Sequence, residues 1–192
     1  MTTSETYSRI LQIARRLFVQ QGYTATSMRQ VAGEAGIGKA TIYHHFPDKQ
    51  AVVMALLQED IGHMKEVLQI VRAQDEPRQR IQVAATASIN FLFEFVEIMQ
   101  IIRREVPGGR DQLQAEFAGF FQEYIALLAE AIRRGMEQGI FRTVEPTDAA
   151  RVLIAMIQGT FAMAYLGNRP SQPPKKVAAA LLDVYFQGID AR

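Results

Sequence analysis

The chain has 192 residues, of which 48% are hydrophobic and 21% charged, and its net charge is +1; these values are ordinary for a folded globular protein of one or two domains. It contains no cysteine, which excludes disulfides, zinc–thiolate sites and thiol catalysis. No segment approaches the ~20 consecutive apolar residues that cross a bilayer, and the first residues lack the layout of a signal peptide. We therefore expect a cytoplasmic protein.

Apolar residues recur at helical spacing along almost the whole chain, and no sustained alternating run is present. This pattern predicts an all-α fold of about nine helices. Helix 1 is expected to end near Gly22, and Thr26 is the predicted N-cap of helix 2. Gly36 ends helix 2, because glycine adopts the left-handed conformation that a sharp helix exit needs. Gly38 is the predicted N-cap of helix 3, over Lys39–His45.

The remaining helices are delimited by proline, glycine and an aspartate cap. Pro47 prevents helix 3 from continuing, and Asp48 is the predicted N-cap of helix 4. The predicted ranges are Lys49 to about Ala73, Arg78–Glu97, a shorter helix carrying Met99, Ile101 and Ile102, Asp111–Gln138, Pro146 or Thr147 to near Gly167, and about Lys175–Gly188. We divide the chain into an N-terminal three-helix domain, residues 1–48, and a larger C-terminal helical domain, residues 49–192.

Helices 2 and 3 are short and joined by a tight turn that contains glycine, which is the pattern of a helix-turn-helix unit. The predicted packing brings Ile37, Ile42 and Phe46 against Leu17, Val31 and Ala32. The opposite face of helix 3 then carries small or donor-bearing side chains, namely Lys39, Ala40, Thr41, Tyr43 and His44. A recognition helix needs this mixture, because its first turn approaches base edges while its donors bind phosphate oxygens. Lys49, at the start of helix 4, is expected to bind a further phosphate.

The charge distribution agrees with a DNA-binding N-terminal domain. Residues 1–50 carry six Lys/Arg and three Asp/Glu, a net charge of +3, whereas the rest of the chain carries fifteen and seventeen, a net charge of −2. A basic end on a slightly acidic body suits a domain that meets phosphates, joined to one that does not.

The residues of this domain also carry a family resemblance. The run LF…GY.ATSMRQVAGEAG and the stretch GKATIYHHFPDK resemble the N-terminal DNA-binding domain of TetR-family transcriptional repressors, over about residues 10–49. The resemblance implies binding to double-stranded operator DNA. One departure is Gly38, where many relatives have serine, so a side-chain cap is missing there. The residues that the resemblance assigns to DNA contact are Thr26, Arg29, Lys39, Ala40, Thr41, Tyr43, His44, His45 and Lys49.

Other interpretations of these residues remain open. Adjacent histidines, His44 and His45, cannot point the same way on a helix, whereas metal pairs usually sit at i, i+3 or i+4; we expect no metal site and no cofactor. His63, one turn after Glu59, is more typical of a surface hydrogen bond than of a ligand pair. Tyr43 could instead be core. Arg29 could belong to a solvated face and Thr26 could be a simple cap, while Arg15 and Arg16 are expected to stay solvated.

The larger domain is rich in phenylalanine and methionine. Most of these side chains must be core, but bundle cores often contain ligand sites, and methionine adapts to irregular cavities. Repressors that this chain resembles generally bind a small molecule there, so we expect a small hydrophobic or amphipathic inducer. Arg103 is a candidate polar anchor, although it and Arg104 could pair with nearby acids. The candidate ligand-binding residues are Phe91, Phe95, Met99, Arg103, Phe121 and Met156.

The last two helices are apolar on more than one face, which calls for a second partner besides their own core. We predict a homodimer through a symmetric four-helix interface, with Ala155, Gly159, Ala162, Leu166, Leu181 and Tyr185 as candidate interface residues. The resulting prediction is a ligand-responsive, DNA-binding transcriptional regulator, most simply a homodimeric repressor. An enzyme is disfavoured because no triad, phosphate loop or perturbed carboxylate pair is present. A constitutive architectural DNA binder would need a more basic chain.

Overall fold

The computed structural model describes residues 3–165 and 172–191. Within these ranges the chain forms eight helices and no β-strand, apart from one isolated bridge between Phe141 and Asp190. Since α5 is bent between Phe93 and Ile98, its two parts and the other seven helices make nine helical segments, and the predicted all-α fold is confirmed. The helices are α1 (Thr3–Gln21), α2 (Met28–Glu34), α3 (Lys39–His45), α4 (Lys49–Arg72), α5 (Pro77–Glu105), α6 (Gly109–Glu137), α7 (Pro146–Tyr165) and α8 (Pro174–Ile189).

The helix ends show which local signals act. Gly38 (φ −71°, ψ 157°) is the N-cap of α3, and the Asp48 carboxylate accepts a hydrogen bond of 2.7 Å from the Ala51 N–H at the start of α4; both predictions are confirmed. The predicted N-cap of α2 is wrong. Ser27, not Thr26, caps that helix, and its hydroxyl accepts a bond of 3.1 Å from the Gln30 N–H.

The predicted break between helices 5 and 6 corresponds to a bend of 60° within α5, between Phe93 and Ile98, and not to an interruption of the helix. No glycine or proline occurs between Phe93 and Ile98, so neither of these two common causes of a helix kink explains the bend. In the described residues, no single helix is long and apolar enough to cross a membrane. The two parts of α5 meet that test of length and composition only when they are taken together across the bend.

The chain divides into two compact units, and α4, α5 and α6 contribute to both. Unit 1 comprises Met1–Gly62 and Glu97–Phe117, and unit 2 comprises His63–Val96 and Ala118–Arg192. The core of unit 1 contains buried residues from each of the first four helices, together with Ile98, Ile102 and Val106. The helix-turn-helix is therefore packed against later parts of the chain. The proposed domain boundary between residues 48 and 49 stays a prediction.

Unit 2 has its own apolar core. Leu68 and Val71 of α4, Ile81 and Ile89 of α5, and Leu128 of α6 are all buried. One polar pair lies within it: the hydroxyls of Ser88 and Tyr124 are 2.7 Å apart. Burial raises the pKa of the Tyr124 phenol far above its usual value, so this hydroxyl stays protonated and hydrogen-bonded at any ordinary pH.

Candidate nucleic-acid interface

The helix α3 is held in place by its inward side chains. Ile42 is fully buried, Phe46 is nearly so, and both join the core of unit 1 with Val31 and Ala32 of α2. Ile37, in the turn, packs against the same core. A helix of seven residues is marginal by itself, so this packing is what keeps α3 folded and oriented.

The opposite face of α3 is open to solvent, as the sequence predicts. Lys39, Ala40, Thr41 and His44 are exposed, and Tyr43 has 44% of its surface exposed, which excludes the alternative that Tyr43 is core. The Lys39 ammonium lies 5.9 Å from the centre of the Tyr43 ring, a cation–π arrangement on the outer surface. The surface therefore presents an ammonium, two hydroxyls and an imidazole around one small residue. That it contacts DNA stays a prediction.

Two further candidates lie on α2 and at the end of α3. Arg29 is exposed on α2. His45 is half-buried, and its ring lies edge-on to Tyr7, with the centroids 6.3 Å apart. The rings of His44 and His45 are 5.7 Å apart and nearly perpendicular. Across the described residues, no group of three or more possible ligand side chains could hold a metal ion.

Thr26 and Lys49 occupy different surroundings from the other candidates. Thr26 is only 1% exposed, and its hydroxyl donates a bond of 2.8 Å to the Gly22 carbonyl. The Lys49 ammonium donates to three backbone carbonyls, those of Tyr23 at 2.5 Å, Thr24 at 3.4 Å and Thr26 at 2.7 Å. Both side chains are thus engaged within the chain. Sequence reasoning missed this role of Lys49 because its partners lie in the loop between α1 and α2, 23 to 26 positions away, whereas the partner of Thr26 is Gly22 in the same loop.

The expectation that Arg15 stays solvated is wrong, whereas Arg16 is exposed, as predicted. Arg15 of α1 forms an ion pair with Asp60 of α4, whose side chain is 1% exposed, and its guanidinium also lies 3.4 Å from Glu59. Arg16 remains largely exposed but pairs with Glu34 at the end of α2. These pairs connect α1 to two helices that follow it in unit 1.

A cavity of about 330 Å³ opens between α4 and α5 in unit 2. Two of the candidate ligand residues, Phe91 and Phe95, line it with their rings 4.6 Å apart. The His63 ring stacks on Phe95 at 6.2 Å. The other lining residues are Glu66, Val67, Ile70, Ala87 and Asn90. Sequence analysis missed them, although their spacing of three or four residues on each helix is a signal of one shared face.

The other ligand candidates are placed elsewhere. Met99 packs against the core of unit 1 and Arg103 is exposed on the last turn of α5, also in unit 1. Phe121 and Met156 are half-buried in unit 2 and are not among the residues that line this cavity. The prediction that Arg103 anchors a ligand thus has no support from this cavity, whose charged lining residue is the acid Glu66.

The candidate interface residues of the last helices fall into two groups. Ala155, Gly159 and Ala162 are exposed on α7, while Leu181 and Tyr185 of α8 are already buried within the chain. The Tyr185 hydroxyl donates a bond of 3.0 Å to the carbonyl of Ala149. Leu166 lies outside the described residues. Two large apolar side chains that were not candidates are exposed on the same helices, Val152 at 54% and Val184 at 62%.

Two family models match the chain. The model of bacterial regulatory proteins of the tetR family matches residues 10–56, and the model of the tetracyclin repressor-like C-terminal domain matches residues 74–162. The chain belongs to the TetR family. This confirms the resemblance predicted from the helix-turn-helix and extends it over most of the helices that follow.

Proteins whose sequences are similar to this chain are named as transcriptional regulators. The HTH-type transcriptional regulator YvkB of Bacillus subtilis is 27% identical over 188 residues, which are 97% of this chain and 98% of YvkB. Because such relatives are regulators, the prediction that this TetR-family chain is not an enzyme is confirmed.

Solved structures share the TetR fold of the chain. A transcriptional regulator from Saccharomonospora viridis in complex with choline has a TM-score of 0.77 at 23% identity, over 98% of this chain and 100% of that chain. AibR in complex with isovaleryl coenzyme A and operator DNA has a TM-score of 0.68 at 24% identity, over 94% of this chain and 98% of that chain. At these identities the likeness establishes the fold.

Proposed function

We propose that this TetR-family regulator is a homodimeric repressor that binds double-stranded operator DNA through α3 and is released by a small hydrophobic or amphipathic inducer. The observation that carries the proposal is the outer face of α3, which is exposed and donor-bearing while Ile42 and Phe46 hold the helix from inside. The fold relative AibR, whose structure contains operator DNA and a coenzyme A thioester, supports a regulator that responds to a small molecule.

In the proposed complex α3 enters the major groove. Lys39, Tyr43 and His44 bind phosphate oxygens at the groove walls, while Ala40 and Thr41 allow close approach to base edges. Arg29 and His45 are proposed to contact the backbone from the sides. Thr26 and Lys49, the remaining candidates, would have to exchange their internal hydrogen bonds for contacts with DNA.

The homodimer is proposed to form through the exposed sides of α7 and α8. Val152 and Val184 are large apolar side chains in solvent, and the small residues Ala155, Gly159 and Ala162 allow close helix approach. A two-fold axis through this surface makes the interface self-complementary. It would place two copies of α3 about 34 Å apart, in successive major grooves. Leu181 and Tyr185 then support the interface from inside each subunit.

The inducer is proposed to occupy the cavity between α4 and α5. Phe91, Phe95 and Val67 offer an apolar and aromatic surface, and His63, Glu66 and Asn90 offer polar groups at its edge. A flat apolar body with a basic or hydrogen-bonding substituent fits this lining, because a cation is attracted both by a carboxylate and by aromatic faces. Release from DNA follows if the inducer binds more tightly to the arrangement that does not fit two successive grooves; operator DNA then weakens inducer binding by the same factor.

The proposal is tested by selecting duplexes from a random-sequence library with the full-length protein and measuring affinity by fluorescence anisotropy. Lys39→Ala and Thr41→Ala should each weaken binding to the selected duplex, whereas Lys65→Ala, an exposed lysine of α4, should leave it unchanged. The repressor should prefer the selected duplex over random DNA by about 10³-fold or more. Equal affinity for both duplexes would favour an architectural DNA binder and contradict the proposal. Mass spectrometry of small molecules that copurify with the protein would identify the inducer.

A further inference from the structure

The loop between α1 and α2, residues 22–27, is held by two charged side chains from distant parts of the chain. Lys49, the first residue of α4, binds the carbonyls of Tyr23, Thr24 and Thr26. Glu105, the last residue of α5, accepts a hydrogen bond of 3.0 Å from the Thr24 N–H, although 81 positions separate them. All of these groups belong to unit 1. We refer to Lys49, Glu105 and the backbone groups they bind as the loop clamp.

The hydrogen bonds of Lys49 use all the N–H donors of its ammonium group. A protonated lysine has three N–H donors, and three carbonyls lie within hydrogen-bond distance of this ammonium. It also lies 4.2 Å from the centre of the Tyr23 ring, which adds a cation–π contact. A positive charge at a helix N-terminus is unfavourable with respect to the helix dipole, so its placement on the first residue of α4 needs these partners.

The geometry of Glu105 complements that of Lys49, because one side chain binds loop carbonyls and the other binds a loop N–H. Gly22, at φ +87°, allows the close approach of the carboxylate: a Cβ at Gly22 would lie 3.2 Å from both carboxylate oxygens of Glu105. Burial lowers the pKa of Lys49, and the charge of Glu105 opposes that change. The charge of Glu105 therefore favours the protonated form of Lys49, which is the form that binds the loop carbonyls.

We propose that Lys49 and Glu105 are positioning residues for DNA binding. They hold the α1–α2 loop so that Ser27 caps α2 and the recognition face of α3 is presented at a fixed angle, and Lys49 does not bind a phosphate. The inference rests on the proposed role of α3, but it assigns to Lys49 a different task from the phosphate contact predicted by the sequence. It also makes Glu105 part of the DNA-binding machinery, although it lies 81 positions from Thr24.

The salt dependence of operator affinity distinguishes positioning from phosphate binding. Each phosphate contact that is lost reduces the slope of log K against log [salt] by about 0.9. Lys39→Ala should show this reduction on the library-selected duplex. Lys49→Met keeps the aliphatic stem and loses the ammonium; it should weaken binding about tenfold, or ~1.4 kcal/mol, without changing the slope. Lys65→Met is the control for the removal of one positive charge from α4.

Glu105 provides a test in which simple electrostatics predicts the opposite sign. Removing an acidic side chain from a DNA-binding protein should strengthen its attraction to phosphates. The clamp instead predicts that Glu105→Leu weakens operator binding about tenfold, or ~1.4 kcal/mol. Glu105→Gln keeps a carbonyl oxygen for the Thr24 N–H, and its affinity should stay within about threefold of the wild type. Asp75→Leu, an exposed acid in the α4–α5 loop, controls for the loss of one negative charge.

Hydrogen exchange of the Thr24 amide, measured by NMR on the same full-length variants, reports on the clamp without DNA. The amide should be protected in the wild type and in Glu105→Gln, and should exchange faster in Glu105→Leu while the helix content is retained. A salt slope of Lys49→Met that falls like that of Lys39→Ala would overturn the inference, as would wild-type affinity of Glu105→Leu. If the wild-type protein preferred no duplex at all, the proposed function would fail and this inference with it, whereas the two preceding outcomes overturn the loop clamp alone.

Discussion

Replacement of Arg15 by leucine should lower the free energy of unfolding by more than the loss of an exposed ion pair would. Arg15 of α1 reaches across to Asp60 of α4, whose carboxylate is 1% exposed, and one guanidinium nitrogen lies 3.2 Å from an Asp60 oxygen. Without the arginine, a buried carboxylate loses its cationic partner. Breaking a buried ion pair in this way costs about 3–5 kcal/mol. Since a quarter of the Arg15 side chain is exposed, water can replace part of the loss, and we expect about 2–3 kcal/mol.

The neighbouring residue offers a matched control. Arg16 also forms a cross-helix ion pair, but the side chains of both Arg16 and its partner Glu34 are substantially exposed. Exposed pairs contribute about 0–1 kcal/mol, so Arg16→Leu should be nearly neutral. Both substitutions remove one positive charge from the same turn of α1, and the comparison isolates the burial of the acid.

The assay is urea unfolding followed by circular dichroism at one fixed protein concentration, because the proposed dimerisation would make apparent stability depend on concentration. In a thermal melt, the melting temperature of Arg15→Leu should be about 4–12 °C below that of the wild type, because each kcal/mol shifts it by ~2–4 °C at this chain length. In the double variant Arg15→Leu/Asp60→Leu, the buried charge is removed together with its partner, and much of the stability should return. The reasoning is refuted if Arg15→Leu costs no more than Arg16→Leu.

Three further predictions concern packing, assembly and the cavity. Gly135→Ala should cost about 1–3 kcal/mol, because an added Cβ would lie 2.1 Å from the Phe141 ring, whereas Gly119→Ala on the same helix has open space and should stabilise by about 0.5–1 kcal/mol; urea titrations of both variants give the sign. Val184→Asp should shift the protein from dimer to monomer in sedimentation velocity, since a charge would be buried at the proposed interface, and an unchanged dimer would contradict that interface. Phe91→Ala should abolish copurification of the small molecule while helix content and operator binding persist, although the melting temperature should fall because Phe91 is only 6% exposed and a buried Phe→Ala change leaves a cavity; retention of the ligand would place its site elsewhere.

Much of the fold follows from signals that lie within a few residues of the feature they specify. Gly38 before α3, Pro47 after it and Asp48 at the start of α4 delimit the short helices, and the structure has α3 at the predicted residues. The inward and outward faces of α3 were also predictable, because apolar residues at helical spacing must be buried together. The same local reasoning failed for Thr26, since threonine and serine at adjacent positions offer equivalent caps and only the packed loop selects Ser27.

The sequence by itself therefore determined most of the helices, the exposed face of α3 and the family, all of which depend on neighbouring residues or on a contiguous motif. Only the tertiary structure decided the partners of the charged side chains. The sequence predicts Lys49 as a phosphate contact, but in the structure three carbonyls of the α1–α2 loop surround its ammonium. It predicts Arg15 as solvated, but in the structure Arg15 pairs with Asp60 of α4. The cavity, too, could be found only from the tertiary structure, because its lining residues come from both α4 and α5. A long charged side chain can reach many positions, and its choice among them depends on which groups the packed helices leave buried without a partner.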